Sequence, residues 1–301
     1  MDPSLSTSRR AKAPPMTGGG DWPAWVPLLV LLAGSALARP RLPAWVWMWT
    51  LASALFWGFK WLTWWRAGRG DRQRSLAYLG LWPGMDAARF MDRAARPPQP
   101  TAAEWRWAVT KTAAGAALVW IVARAAGSGL TAGWIGMIGL VLMLHFGFFH
   151  LVSVAWRRAG VDARPLMHAP LAATSLLSFW SDRWNRAFTD LARVAVLRPL
   201  RRLLGAGSAT LVVFLFSGVL HELVISVPAR GGFGLPFAYF VLQGLGVLAE
   251  RSRLGGRLGL GRGPAGWLFT AAVVAGPLFW LFHPPFVRRV VLPMMDALGA
   301  L

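Results

Sequence analysis

The chain has 301 residues with 32 Lys+Arg against 12 Asp+Glu, a formal charge of +20, yet only 15% of it is charged and 55% is apolar. Soluble domains carry about 25% charged residues. The composition therefore excludes a water-facing globular surface, a disordered basic tail and a zinc finger, and assigns the basic excess to a membrane rather than to nucleic acid. With no cysteine in the sequence, disulfides, thiolate metal sites and a cysteine nucleophile are removed as well.

A bilayer-crossing helix needs about 20 mostly apolar residues. Residues 1–22 read as a polar N-terminal tail holding Arg9, Arg10 and Lys12. Residues 23–301 read as a single membrane-embedded domain. Its candidate spans are 24–38, 43–65, 107–126, 130–156, 208–227, 233–250 and 264–282, and the tail 285–301 is either an eighth short helix or an interfacial segment. Ala36-Leu37-Ala38 would suit cleavage of a signal peptide, but the long tail ahead of it holds Pro14, Pro15 and Asp21, so the first span is read as retained.

The basic islands alternate between the spans. Arg9, Arg10, Lys12 and the loops 66–106, 157–202 and 251–262 hold 24 of the 32 basic residues. The connections 39–42, 127–129 and 228–232 are short. The positive-inside rule then predicts an all-α polytopic protein of 7–8 spans with a cytoplasmic N-terminus. Many of the 19 Trp, among them Trp22, Trp45, Trp64, Trp107 and Trp156, fall at span ends, where indole prefers the headgroup layer.

Ionisable groups inside a span cost about 2.5–3.5 kcal/mol each on insertion scales, so each needs a reason. Lys60, Lys111 and Arg124 lie close enough to span ends to snorkel. His221 and Glu222 do not. Ser217 shares the face of His221, and Gly218 permits close approach of another helix. Glu222 points about 100° away from His221 and is expected to meet a different helix. A zinc-protease motif needs a second His four residues after the first, and position 225 is Ile. His145 and His150 sit about 140° apart on a helix, poor for joint metal binding, and read as packing or pore-lining residues. Gly244-Leu-Gly lies within an apolar helix and reads as close packing, not as a dinucleotide fingerprint. Spacing assigns no role to His168 or His283.

The segment 176–200 reads as an amphipathic interfacial helix within the stretch 165–206. Leu177, Trp180, Trp184, Phe188, Leu191 and Ala195 form one stripe at helical spacing, and Asp182, Arg186, Asp190 and Arg193 form the opposite face. Asn185 falls between the faces, Ser178 is a candidate N-cap, and Arg198, Arg201 and Arg202 follow.

Phe179-Trp180-Ser181-Asp182-Arg183-Trp184-Asn185 resembles the Phe-Trp-x-x-Arg-Trp-Asn/His motif of the membrane-bound O-acyltransferases, in particular the wax-synthase-like branch. Ser217-Gly218-Val219-Leu220-His221-Glu222 resembles the same family's Ser-Gly-x-x-His-Glu helix. His283-Pro284-Pro285-Phe286 and the residues that follow are similar to its C-terminal end. Asp182 departs from the Arg common in wax-synthase-like members and matches the sterol and diacylglycerol acyltransferases, and Ser181 stands where Gly is common.

The resemblance implies a catalytic helix at 208–227, with His221 and Asn185 as the catalytic pair. It places Phe179, Trp180, Asp182, Arg183, Trp184, Arg186, Ser217 and Glu222 around the substrates. Basic residues Arg193, Arg198, Arg201 and Arg202 would receive the phosphates of acyl-CoA. The expected partners are acyl-CoA, a lipophilic alcohol and the bilayer, with no nucleic acid, no metal and no permanently bound cofactor. The expected location is the bacterial cytoplasmic membrane. A competing reading is a proton-coupled transporter using His221 and Glu222 as a relay. Such transporters often show broken helices in paired positions, and no internal repeat is visible here.

Overall fold

The computed structural model describes residues 22–68, 70–127 and 129–301. The expected tail, with Arg9, Arg10 and Lys12, lies outside the described residues apart from Trp22. All regular structure among the described residues is helical. We number the principal helices α1 (Trp22–Arg41), α2 (Ala44–Arg66), α3 (Arg72–Leu81), α4 (Ala87–Met91), α5 (Ala102–Ala125), α6 (Leu130–Arg158), α7 (176–183), α8 (Arg186–Ala229), α9 (Leu235–Glu250), α10 (Gly263–Leu281) and α11 (284–297).

Among these, α1, α5, α6, α8 and α10 are long and apolar enough to cross a membrane. The expected spans 43–65 and 233–250 form as α2 and α9 but fall outside those five. The apolar α9 is only 16 residues long. The 23 residues of α2 could reach about 35 Å at 1.5 Å per residue, but the helix is diluted by Trp, Lys60 and Arg66. The 44-residue α8 is broken at Gly205, whose φ of 73° lies in the left-handed region that glycine tolerates. That break separates a basic first half from the apolar half carrying His221.

Helices α3, α4 and α5 begin where sequence chemistry provides caps. The Asp71 carboxylate accepts from Arg74 N (3.1 Å), Asp86 from Arg89 N (3.1 Å), and the Thr101 hydroxyl from Glu104 N (3.2 Å). Longer helices pack through small residues, as expected where apolar burial supplies little drive between helices in lipid. At Gly115 of α5 an added Cβ would lie 2.4 Å from Met143 N of α6, and at Gly218 of α8 it would lie 2.9 Å from the Phe237 ring of α9. Gly244 packs against Leu211 and Phe214, consistent with the packing reading of its motif.

The loops gather at two ends. At one end Arg66 donates to Val194 O (3.1 Å), Arg89 pairs with Asp162 (2.7 Å), and Glu250 receives the start of α7. At the other end Arg289 donates to Ala229 O and Arg230 O, and Trp120 and Arg124 donate to Leu298 O and Gly299 O. The three large basic loops thus share one end. The tail is no surface strip: Val287, Val290 and Met295 are fully buried, and Val287 and Met295 fill the space left by Gly133 and Gly136 of α6.

Two expectations for the polar groups are corrected. Lys60 does not snorkel; it is fully buried, donates to Gly84 O and lies 3.4 Å from the Tyr78 ring centroid. The loop 82–86 folds over α2 and closes the route to water. Lys111 is likewise engaged, with its Nζ 2.9 Å from His150 Nδ1. An ammonium can only donate there, so His150 carries its hydrogen on Nε2 and donates to Glu104 (3.0 Å), which also accepts from Arg157. His150 thus ties α5 to α6. His145 rests against the Phe149 ring (5.3 Å), and its buried Nδ1 has no partner.

Candidate active site

The segment 176–200 is not one continuous helix. The turn 179–183 widens to i→i+5 bonding, Trp184 is extended, and Asn185 takes φ 42°, ψ 61° before α8 begins. Asn is among the residues that tolerate this left-handed region. A strap at 166–168 holds the break from outside: Arg186 N donates to Leu166 O (2.9 Å), His168 N to Arg183 O (2.8 Å), and Arg183 Nη1 to Ala169 O (3.0 Å). The strap supplies backbone partners that a continuous helix would have found within itself. Ser175, not Ser178, caps α7, accepting from Ser178 N at 3.2 Å.

This break redirects the apolar stripe. Trp180 turns to α9, with its ring 5.7 Å from Phe240 and its indole N–H donating to Gln243 Oε1 at 3.2 Å. Trp184 stacks on Phe179 (5.7 Å) and meets Phe146 of α6 (5.9 Å). Phe188 stacks on Phe216 of α8 (6.1 Å), five residues before His221. Asn185 Oδ1 caps α8 by accepting from Phe188 N at 3.3 Å. The predicted charged face does stay together: Asp182, Arg186, Asp190 and Arg193 line one cleft with Asp86, Arg89, Asp162 and Arg164. Four arginines and four aspartates balance there, and the pairs Arg193–Asp190 (3.1 Å) and Arg89–Asp162 (2.7 Å) consume part of both sets. Arg198, Arg201 and Arg202 lie outside this cleft, exposed on the first half of α8.

His221 is partly buried on α8, with its ring 4.3 Å from Phe240. One phenylalanine therefore joins the two motifs, meeting His221 and Trp180. His221 Nδ1 lies 2.7 Å from the Ser217 carbonyl oxygen. A carbonyl only accepts, so Nδ1 carries the hydrogen and Nε2 keeps its lone pair. Glu222 does not pair with His221. Its carboxylate accepts from Phe237 N (3.1 Å) in the first turn of α9, where a negative group complements the helix end. Ser217 serves His221 through its carbonyl.

Sequence reasoning passed over three residues of α9. Phe240, Gln243 and Glu250 are all buried. Besides accepting from Trp180, Gln243 donates to Val273 O of α10 (2.7 Å). Glu250 accepts from Ser175 Oγ (2.9 Å), from Leu177 N (3.4 Å) and from Leu176 N. Helix α9 is thus bracketed: Glu222, beside His221, holds its first turn, and Glu250 at its far end holds the first turn of the Trp180 motif. Gln243 and Glu250 follow Phe240 by three and ten residues, which places them near one face. A buried amide and carboxylate repeating on an apolar helix were the available signal.

Residues 163–242 match the model of the membrane bound O-acyl transferase family. Over 143 residues, 43% of this chain, the sequence is 34% identical to a probable long-chain-alcohol O-fatty-acyltransferase 7 of Arabidopsis thaliana. It is 31% identical over 150 residues, 46% of the chain, to a long-chain-alcohol O-fatty-acyltransferase of Simmondsia chinensis. An acyl-CoA–sterol O-acyltransferase 1 of Arabidopsis thaliana is 27% identical over 161 residues, 47% of the chain. The matches cover 42–44% of the length of these relatives. The matched region holds both the Trp180–Asn185 turn and the His221 helix, and through it the chain is similar to membrane bound O-acyl transferases of the wax-synthase-like branch.

Proposed function

We propose that this chain transfers a fatty acyl group from acyl-CoA to a lipophilic alcohol, with His221 as general base. The observation that carries the reading is the bond from His221 Nδ1 to the Ser217 carbonyl, because it leaves Nε2 as the proton acceptor within a membrane helix. In this reading Nε2 takes the hydroxyl proton as the alcohol oxygen attacks the thioester carbonyl. The C–S bond then breaks, and the imidazolium returns the proton to the departing thiolate. Asn185 sits at a strap-held break where its amide can reach a substrate carbonyl or hydroxyl. Phe179, Trp180 and Trp184 offer the aromatic wall for the acyl chain.

The exposed Arg198, Arg201 and Arg202 have no carboxylate partner among the described residues, which suits them to the CoA phosphates. Arg193, paired with Asp190, and Arg186 lie with Asp182 in the charge-balanced cleft beside the motif, and Arg183 stands at its edge. Ser217 and Glu222 support the reaction through position. The topology that fits is 7–8 spans, with α2, α9 and the tail added to the five helices that are both long and apolar enough to cross. The basic end and N-terminus face the cytoplasm, and the bacterial cytoplasmic membrane is the location.

The test is formation of labelled ester in membranes given radiolabelled palmitoyl-CoA and a panel of fatty alcohols, sterol and diacylglycerol. Wild-type membranes are expected to label the fatty-alcohol ester, and His221→Gln to lose at least about a hundredfold in rate. Unchanged activity in His221→Gln would remove the base, and absence of any labelled ester would remove the activity.

A further inference from the structure

At the end opposite the basic loops, a cleft of about 510 Å³ is lined by Arg39, Trp47, Arg230 and Arg289, with Leu42, Ala44, Pro228 and Ala229 between them. Ligand pockets commonly run from about 300 to 1,000 Å³, so the space admits a headgroup. Its three arginines come from segments far apart in sequence: the last turn of α1, the end of α8 and the tail. No carboxylate lines the cleft, and none of the three arginines is ion-paired among the described residues.

Two of the charges are held in place by contacts of their own. The Arg39 guanidinium lies 5.0 Å from the Trp47 ring centroid, and Trp47 is itself fixed by its indole N–H on Ser35 O (3.0 Å). Arg289 spends one nitrogen on Ala229 O (3.0 Å) and Arg230 O (3.1 Å). Arg230 has φ 49°, a left-handed conformation that glycine adopts freely, and Gly231 and Gly232 follow directly. An arginine thus occupies a backbone site built for glycine. Cations are also sparse at this end, as the positive-inside rule leads one to expect. Three arginines lining one cleft without an acid favour an anion between them.

We propose that this cleft binds the phosphate of a membrane lipid in the leaflet that faces away from the basic loops. The planar guanidinium fork matches phosphate oxygens. Trp47, buried beneath it, holds the Arg39 guanidinium at the cleft. A headgroup without its own cation fits best, because choline would enter among three positive charges. Bound there, the lipid would staple α1, α8 and the tail together, and this proposal stands independently of the acyltransferase reading.

The experiment is native mass spectrometry of the full chain in non-ionic detergent, titrated separately with palmitoyl-oleoyl phosphatidylglycerol, phosphatidylcholine of the same chains, and inorganic phosphate. The variants are Arg230→Gly, which relieves the backbone and so keeps the fold, and Arg39→Gln with Arg230→Gln. Arg257→Gln, at the other end, is the control. Wild type and Arg257→Gln are expected to retain phosphatidylglycerol at least tenfold more tightly than phosphatidylcholine. Arg230→Gly is expected to lose about tenfold, and the double variant more. Equal phosphatidylglycerol binding in wild type and Arg230→Gly overturns the site. Equal binding of phosphatidylcholine reduces it to acyl-chain adsorption. Inorganic phosphate binding as tightly as the lipid makes it a free-anion site and overturns the lipid assignment.

Discussion

Trp180 and Gln243 are joined by an indole N–H to amide oxygen bond of 3.2 Å, and the same amide donates to Val273 O at 2.7 Å. One side chain therefore connects the motif turn, α9 and α10. Gln243→Leu keeps the apolar bulk but orphans both partners, at about 1–3 kcal/mol for each buried polar group left unpaired. The expected outcome is a lower thermal midpoint in detergent. If the contact sets the Trp180 position, kcat falls at least about tenfold with KM for acyl-CoA within about threefold. Glu250→Ala should act likewise through the start of α7, with partial rescue by Glu250→Gln, which keeps one acceptor oxygen. An unchanged kcat in both variants would leave α9 with a purely structural part.

Ser217 separates two ways of using His221. The imidazole is bonded to the Ser217 carbonyl, not to its hydroxyl. Ser217→Ala preserves that carbonyl and is expected to keep the acyl-transfer rate within about threefold. A relay through the hydroxyl would instead show a loss of about 10²–10⁴-fold, the range for removing a proton-transfer group. Initial rates at saturating acyl-CoA distinguish the two.

What the sequence disclosed follows from what repeats locally. The alternation of long apolar runs and arginine islands is a pattern within the chain, and the structure collects the three large loops at one end accordingly. His221 and Glu222 stood out because lipid penalises them wherever they point, and the separation of Glu222 onto another helix followed from 100° per residue. The break at Asn185 was hidden because a residue can keep helical spacing on both sides of a reversal. Only the strap at 166–168, which supplies backbone partners from outside, decides against a continuous helix. Lys60 was misread for a similar reason: distance to a helix end predicts snorkelling, but a loop folded over that end is a tertiary fact. Gln243 and Glu250 mattered through partners 63 and 75 residues away, which a single sequence does not pair.

Asn185 combines a backbone role with a chemical one, and two variants divide them. Asn185→Gly accepts φ 42° without strain and loses only the amide. Asn185→Asp keeps the cap on Phe188 N while replacing the amide nitrogen by oxygen. Both are expected to fold with near wild-type thermal midpoints, because loss of a cap to Gly costs only a few tenths of a kcal/mol. If the amide touches substrate, both lose ester formation by at least about tenfold. Retained activity in Asn185→Asp would reduce Asn185 to a helix cap.

Lys60 is a fully buried amine that meets the Gly84 carbonyl and the Tyr78 ring, with no carboxylate beside it among the described residues. Replacing a buried ionic group by an apolar one of similar volume is often neutral or stabilising, whereas truncation leaves a void. Lys60→Met is therefore expected to match or exceed wild type in thermal midpoint, and Lys60→Ala to fall by about 2–5 kcal/mol. Limited proteolysis of loop 82–86 should rise in both, since the tie to Gly84 is lost. Equal protection of the loop in all three proteins would show that Lys60 does not hold it.

Gly115 and Gly80 give opposite expectations for one substitution. A Cβ at Gly115 would meet Met143 N at 2.4 Å and Gly139 O at 2.7 Å, backbone atoms that cannot rotate aside, so α5 and α6 must separate. Gly115→Ala should cost about 1–3 kcal/mol through overpacking. Gly80 lies in α3 with nothing within 4 Å of an added Cβ. Gly80→Ala should gain about 0.5–1 kcal/mol, because alanine loses less backbone freedom on entering a helix. Thermal unfolding followed by tryptophan fluorescence in detergent reads both shifts. A stable Gly115→Ala protein would mean that the two helices are not in close contact at this point, leaving the tie of His150 to Lys111 and Glu104 to join the pair.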